Sequence, residues 1–208
     1  MILITFIFIC GIVYTVISFL INPSQGLTFP DNYNKNLHSF YERVPLHYLW
    51  IIIIGPVYEE ISFRLGLNFK KQSFIITSLM IIFFASGGSF IFSSVNMSYI
   101  INIGVRLGIL GLLFILANKC ITQEHLDYLK NHYANLVIYL VAFIFAILHL
   151  TNYFPFEWIQ LPFYALIISI LFFLAMILSY IRIKYGLAYA VIFHVLWNLF
   201  QTITTINA

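Results

Sequence analysis

Apolar residues run through the chain in long blocks separated by short polar breaks. Seven blocks reach the roughly 20 mainly apolar residues that a bilayer-crossing helix needs. They fall near residues 2–21, 46–67, 73–93, 98–117, 134–153, 158–181 and 187–204. The third is interrupted by Ser86-Gly87-Gly88-Ser89, which predicts a kink or a re-entrant turn. The first has neither a basic leader nor a small-residue cleavage site, so it reads as a span rather than a signal peptide. The breaks at 22–45 and 118–133 carry Asn, Pro, Lys, Glu, His and Asp and read as polar loops. The pattern predicts an all-α, polytopic membrane bundle of about seven helices.

Composition narrows this further. Apolar residues make up 62% of the 208 positions and charged residues 8%, against about 45–50% and about 25% in soluble domains. So few charges cannot solvate a globule, and a soluble enzyme or a disordered chain is excluded. The net charge is +3, with no basic patch interleaved with aromatics, so nucleic acid is not an implied partner. Cys10 and Cys120 form no disulfide framework. Loop charge sets orientation. Lys70, Lys71, Lys119, Lys130, Arg182 and Lys184 fall on one side of a seven-span arrangement, and only Lys35 and Arg43 on the other. The excess predicts a cytoplasmic N-terminus.

Ionisable groups within apolar spans are costly and default to a functional reading. The second span contains Gly55-Pro56-Val57-Tyr58-Glu59-Glu60-Ile61-Ser62-Phe63-Arg64. Glu60 and Arg64 stand four apart on one helical face and are expected to pair. Glu59 is turned about 100° away, free to face a wet cavity as a general base. The alternative is a single structural cluster of all three. His149 is the lone ionisable group of the fifth span, with Phe145 one turn behind it. In the seventh, His194 and Asn198 share a face, suited to meeting a developing oxyanion or to holding two helices together. Two carboxylates, an Arg, two His and an Asn on three spans imply a polar intramembrane cavity.

In this order, Glu59-Glu60-x-x-x-Arg64, Phe145-x-x-x-His149 and His194-x-x-x-Asn198 resemble the CPBP family of CAAX proteases and bacteriocin-processing (Abi-type) intramembrane enzymes. Gly55-Pro56, Phe63-Arg64, Phe145-Ala146 and Gly186-Leu187 match as flanks. The resemblance implies one protease domain over residues 1–208, with motif helices near 46–67, 134–153 and 187–204 and inserted helices near 73–117. It implies peptide hydrolysis by a Glu-activated water, without a cofactor. Glu59 would activate the water, His149 position it, and His194 with Asn198 form the oxyanion hole. Glu60, Arg64 and Phe145 would brace the site. Substrates would be membrane-embedded, lipidated or hydrophobic peptides in the bilayer of the cell membrane, and the Ile-, Phe- and Asn-rich composition and short length fit a bacterial member.

Two departures stand out. The interval from Glu60 to Phe145 is longer than in many relatives and holds two extra spans. Leu65 stands where a Gly is common. Two other readings use the same residues. Glu59, His149 and His194 are a possible His₂Glu zinc set, although no H-E-x-x-H helix is present. A proton-relaying transporter or inactive scaffold is the non-enzymatic reading, against which no repeated halves are visible. With straight helices, His149 would lie deeper than Glu59 and His194, unless its helix tilts or ends early near Asn152.

Overall fold

A computed structural model describes residues 47–86 and 97–206. The described residues form helices and turns, with no strand among them. The expected span near 2–21, Cys10, Lys35, Arg43 and the Gly87-Gly88-Ser89 part of the break lie outside them. Among the described residues six α-helices of ten residues or more are seen, against about seven expected for the whole chain.

The first motif helix is built in pieces. One turn at His47–Leu49 leads into a π-helical stretch at Trp50–Ile54 and then α1, Gly55–Arg64. A 3₁₀ turn, Leu65–Asn68, ends it, and Phe69 takes a left-handed conformation with φ 57°. The Asn68 side chain accepts from the Lys70 N–H and starts α2, Lys71–Ala85. This helix stops one residue before Ser86, where the glycine-bearing break begins.

The next two helices are α3, Met97–Cys120, and α4, Gln123–Leu148. The latter corrects the sequence reading, because most of the polar stretch 118–133 is helix rather than loop. Thr122 caps it: its hydroxyl accepts from the His125 N–H, while the His125 ring accepts from the Thr122 N–H. Two satisfied end groups make a helix start even where polarity suggests a loop. His149 opens a 3₁₀ turn, His149–Tyr153, so α4 ends before Asn152 as the depth argument required.

A second 3₁₀ turn, Trp158–Gln160, precedes α5, Leu161–Tyr185. Gly186, at φ 105°, breaks the chain in a conformation L side chains rarely adopt. Then α6 runs over Leu187–Ile206. Among the described residues, three helical stretches are long and apolar enough to cross a membrane: Ile101–Cys120, Gln123–Tyr153 and Leu161–Tyr185. Lys71–Ala85 and Leu187–Ile203 are shorter apolar helices. The protein is an all-α membrane bundle.

The core lies where α1, α4 and α5 meet, at Phe63, Ala142, Phe145 and Ala175. Without a strong hydrophobic drive between helices in lipid, close approach comes from small residues. Ala142, Ala146 and Ala175 serve this purpose and are almost fully buried. By contrast α3 packs along α2 and leaves Ile101, Val105, Ile109, Leu112 and Ile115 exposed, a surface suited to lipid. The two ends of α4 touch points only ten residues apart in the chain. Gln123 donates to the Phe69 carbonyl, and His149 faces Glu59. The early helix end, where His149 opens the 3₁₀ turn, goes with the approach of His149 to Glu59.

The turn after α1 is held at Gly66. Its N–H donates to Thr77 Oγ1 at 2.8 Å, and that hydroxyl donates to the Ile61 carbonyl. A Cβ at position 66 would stand 2.9 Å from the Thr77 Cβ. Gly66→Ala is therefore expected to cost about 1–3 kcal/mol by overpacking. Gly104→Ala, which meets nothing within 4 Å, is expected to leave the melting temperature unchanged or raised. Thermal unfolding of the two variants in detergent checks the pair.

Candidate active site

The site is assembled by three helices, each presenting residues one turn apart. On α1 the adjacent carboxylates part company as their helical phase requires. Glu60 is fully buried, while 22% of the Glu59 side chain remains accessible. Arg64 Nη1 donates to Glu60 Oε1 at 2.7 Å, one turn along the same face. Both partners are buried, and Arg64 lies over the Phe145 ring at 4.5 Å. Beyond the pair, Arg182 on α5 donates from Nε to the Arg64 carbonyl and from Nη2 to that of Leu65. These carbonyls stand where α1 passes into the 3₁₀ turn.

From α6, His194 reaches Glu60 Oε1 through Nδ1 at 2.9 Å. A carboxylate already paired with Arg64 accepts only, so Nδ1 carries the hydrogen and donates. From α4, His149 Nδ1 lies 2.8 Å from the Phe145 carbonyl. A carbonyl has no hydrogen to give, so this Nδ1 donates too. In each neutral ring, Nε2 is then the lone-pair nitrogen.

Both Nε2 atoms turn to one oxygen. Glu59 Oε2 lies 3.7 Å from His149 Nε2 and 3.6 Å from His194 Nε2. These separations exceed a direct hydrogen bond. A water about 2.8 Å from each atom, off the line that joins them, would fit the spacing. Three acceptors facing one another hold well only a group that donates hydrogen, such as water, or a positive charge. Phe145 forms the floor, with its ring 4.2 Å from the His149 ring and 6.4 Å from that of His194. Phe63 meets it edge-on at 5.2 Å.

Glu59, Glu60, Arg64, Phe145, His149 and His194 thus come together from sequence positions as much as 135 residues apart. Asn198 stands one turn beyond His194, but its amide nitrogen donates to the Ile51 carbonyl at 2.9 Å rather than to this cluster. Among the described residues, no group of three or more His, Cys, Asp and Glu stands in a metal-holding arrangement.

A family model described as Type II CAAX prenyl endopeptidase Rce1-like matches residues 42–200. The chain belongs to this family. No curated protein and no solved structure matches it. The matched stretch spans every residue of the cluster, together with α2 and α3 of the longer interval. Membership makes the protein a CAAX-type intramembrane protease, a hydrolase whose substrates are membrane-associated peptides. In this Rce1-like protein two participants escaped the sequence reading. Arg182 entered only as a loop charge, and no spacing within its own helix aims it at α1. The Ile51 carbonyl is a backbone group, invisible in a list of side chains.

The Glu60–Arg64 pair gives a sharp stability test. Removing one partner of a buried pair leaves an uncompensated charge and costs about 3–5 kcal/mol. Arg64→Met is expected to lower the melting temperature of the detergent-solubilised protein sharply. Glu60→Leu with Arg64→Met is expected to recover part of that loss. The double variant should remain inactive, because His194 Nδ1 then has no carboxylate to donate to. Thermal unfolding and peptide hydrolysis measured on the same preparations check both halves.

Proposed function

We propose that the protein hydrolyses peptide bonds of lipidated or hydrophobic membrane-bound substrates with a water activated by Glu59. The observation that carries this reading is the convergence of both imidazole Nε2 atoms on Glu59 Oε2, at 3.6 and 3.7 Å. A water held there donates hydrogens to acceptors and keeps a lone pair free for attack. Glu59 takes one proton as the water oxygen bonds to the substrate carbonyl carbon. His149, fixed by its bond to the Phe145 carbonyl, orients that water. The C–N bond then breaks, and the proton on Glu59 passes to the departing amine. An acid and an amine product result, with no covalent enzyme intermediate.

The oxyanion needs donors. His194 uses Nδ1–H on Glu60, so it donates to the oxyanion only after its Nε2, bare in the resting site, has itself taken a proton, which it gives back as the intermediate collapses. The amide of Asn198 has a second N–H beyond the one used on Ile51 and stands one turn from His194. Donors that are fixed before reaction cost no reorganisation when charge develops. Glu60, Arg64 and Phe145 keep these groups in place. No metal enters the scheme. The loop charges support a cell-membrane location with a cytoplasmic N-terminus.

Glu59→Gln keeps size and hydrogen bonding but cannot take the proton. It is expected to lower kcat by about 10²–10⁴-fold with little change in melting temperature. Wild-type activity is expected to survive exhaustive chelation. Fluorogenic hydrophobic and lipidated peptides, assayed with both proteins in detergent, check this. Full activity in the variant would overturn the assignment. Activity lost on chelation and restored by zinc would transfer Glu59, His149 and His194 to a metal shell.

A further inference from the structure

A π-helical stretch immediately before a catalytic segment has a traceable cause here. At Gly55 the backbone N–H bonds the carbonyl of Trp50, five residues back. A Cβ at position 55 would stand 3.0 Å from that oxygen, and glycine removes the conflict. The next residue is Pro56, which has no N–H. The Ile51 carbonyl is thereby deprived twice. Its α-helical donor would be Gly55, already used on Trp50. Its π-helical donor would be Pro56, which has none to give. The hydrogen bond comes instead from Asn198 on α6, at 2.9 Å.

The wide turn also changes helical phase. Ile51 and Glu60 are nine residues apart, which in a regular α-helix puts them on opposite faces, about 180° apart at about 100° per residue. One residue absorbed in the wide turn shrinks this to about 80°. A single helix can then hold both: His194 takes Glu60 and Asn198, one turn on, takes Ile51.

We infer that Asn198 is a positioning residue that supplies the hydrogen bond Pro56 cannot give, and so fixes the phase at which α1 presents Glu59 and Glu60. This deepens the protease reading and rests on it for its kinetic half. It assigns Asn198 a duty in the resting protein, before any oxyanion exists. Residues that share one strained backbone feature couple in their mutational effects, whereas independent residues add.

The test is a double-mutant cycle of Asn198→Ala and Pro56→Ala, with melting temperature and kcat both measured on folded, detergent-solubilised protein. Asn198→Ala alone is expected to lower the melting temperature by about 2–8 °C, as a carbonyl loses its donor. It should also lower kcat by about tenfold or more with KM little changed. In the Pro56→Ala background, where an N–H is restored at position 56, both losses are expected to shrink severalfold. Equal losses in the two backgrounds would overturn the inference and leave Asn198 an oxyanion donor alone. If Pro56→Ala does not fold, Asn198→Asp decides. An acceptor facing the Ile51 carbonyl lowers the melting temperature if Asn198 holds that carbonyl, and an unchanged value refutes the role. The thermal half needs no substrate. It therefore stands or falls even if wild-type protein cleaves nothing, which would count against the protease reading instead.

Discussion

Glu60 carries a carboxylate into the place where α1 and α6 meet, and almost every feature of the site answers the cost of burying it. A naked charge in a low-dielectric interior would not persist. Arg64 supplies the compensating charge from one turn away, and His194 supplies a second donor from another helix. With both donors held on Oε1, their own demands propagate outward. Arg64 must lie over Phe145, whose ring and carbonyl then set His149. His194 must hold its hydrogen on Nδ1, which turns a bare nitrogen toward Glu59. The setting of the exposed glutamate is thus prepared by the buried one.

Adjacent identical residues acquire opposite duties through helical phase alone. A rotation of about 100° takes one carboxylate out of a sealed ion pair and into an accessible space. The same principle governs the approach of α6. Its grip on α1 needs two contacts along one line, and regular helix would have placed them on opposite faces. Gly55 and Pro56 change the winding at the one place where this matters. A pair of residues that reads as a helix-starting signal also sets the angular position of the residues that follow.

Much of this was legible in the chain. The Glu60–Arg64 contact follows from four-residue spacing, and the apolar blocks place most helix ends to within a few residues, the end of α2 at Ala85 rather than near 93 being an exception. The start of α4 differs from the expectation because polarity there reads as loop, although Thr122 and His125 cap a helix. In a membrane protein, polar helix and polar loop look alike wherever the chain leaves the bilayer. Asn198 was read for its side chain, and its resting partner is a backbone oxygen 147 residues away in sequence. Arg182 was read for its charge, and its function is to close the end of a neighbouring helix. Pattern reports which face a residue occupies. It does not report which carbonyls elsewhere lack a donor.

Phe145 touches no atom that reacts, yet its ring meets Arg64, His149 and Phe63, and its carbonyl fixes the tautomer of His149. If the proposed hydrolysis holds, a random-mutagenesis screen for lost function would score this phenylalanine beside the glutamate and the histidines. Its backbone contribution would survive every substitution, while its ring contribution would not. Position 145 is therefore open to change only in the half of its job that a gene can edit.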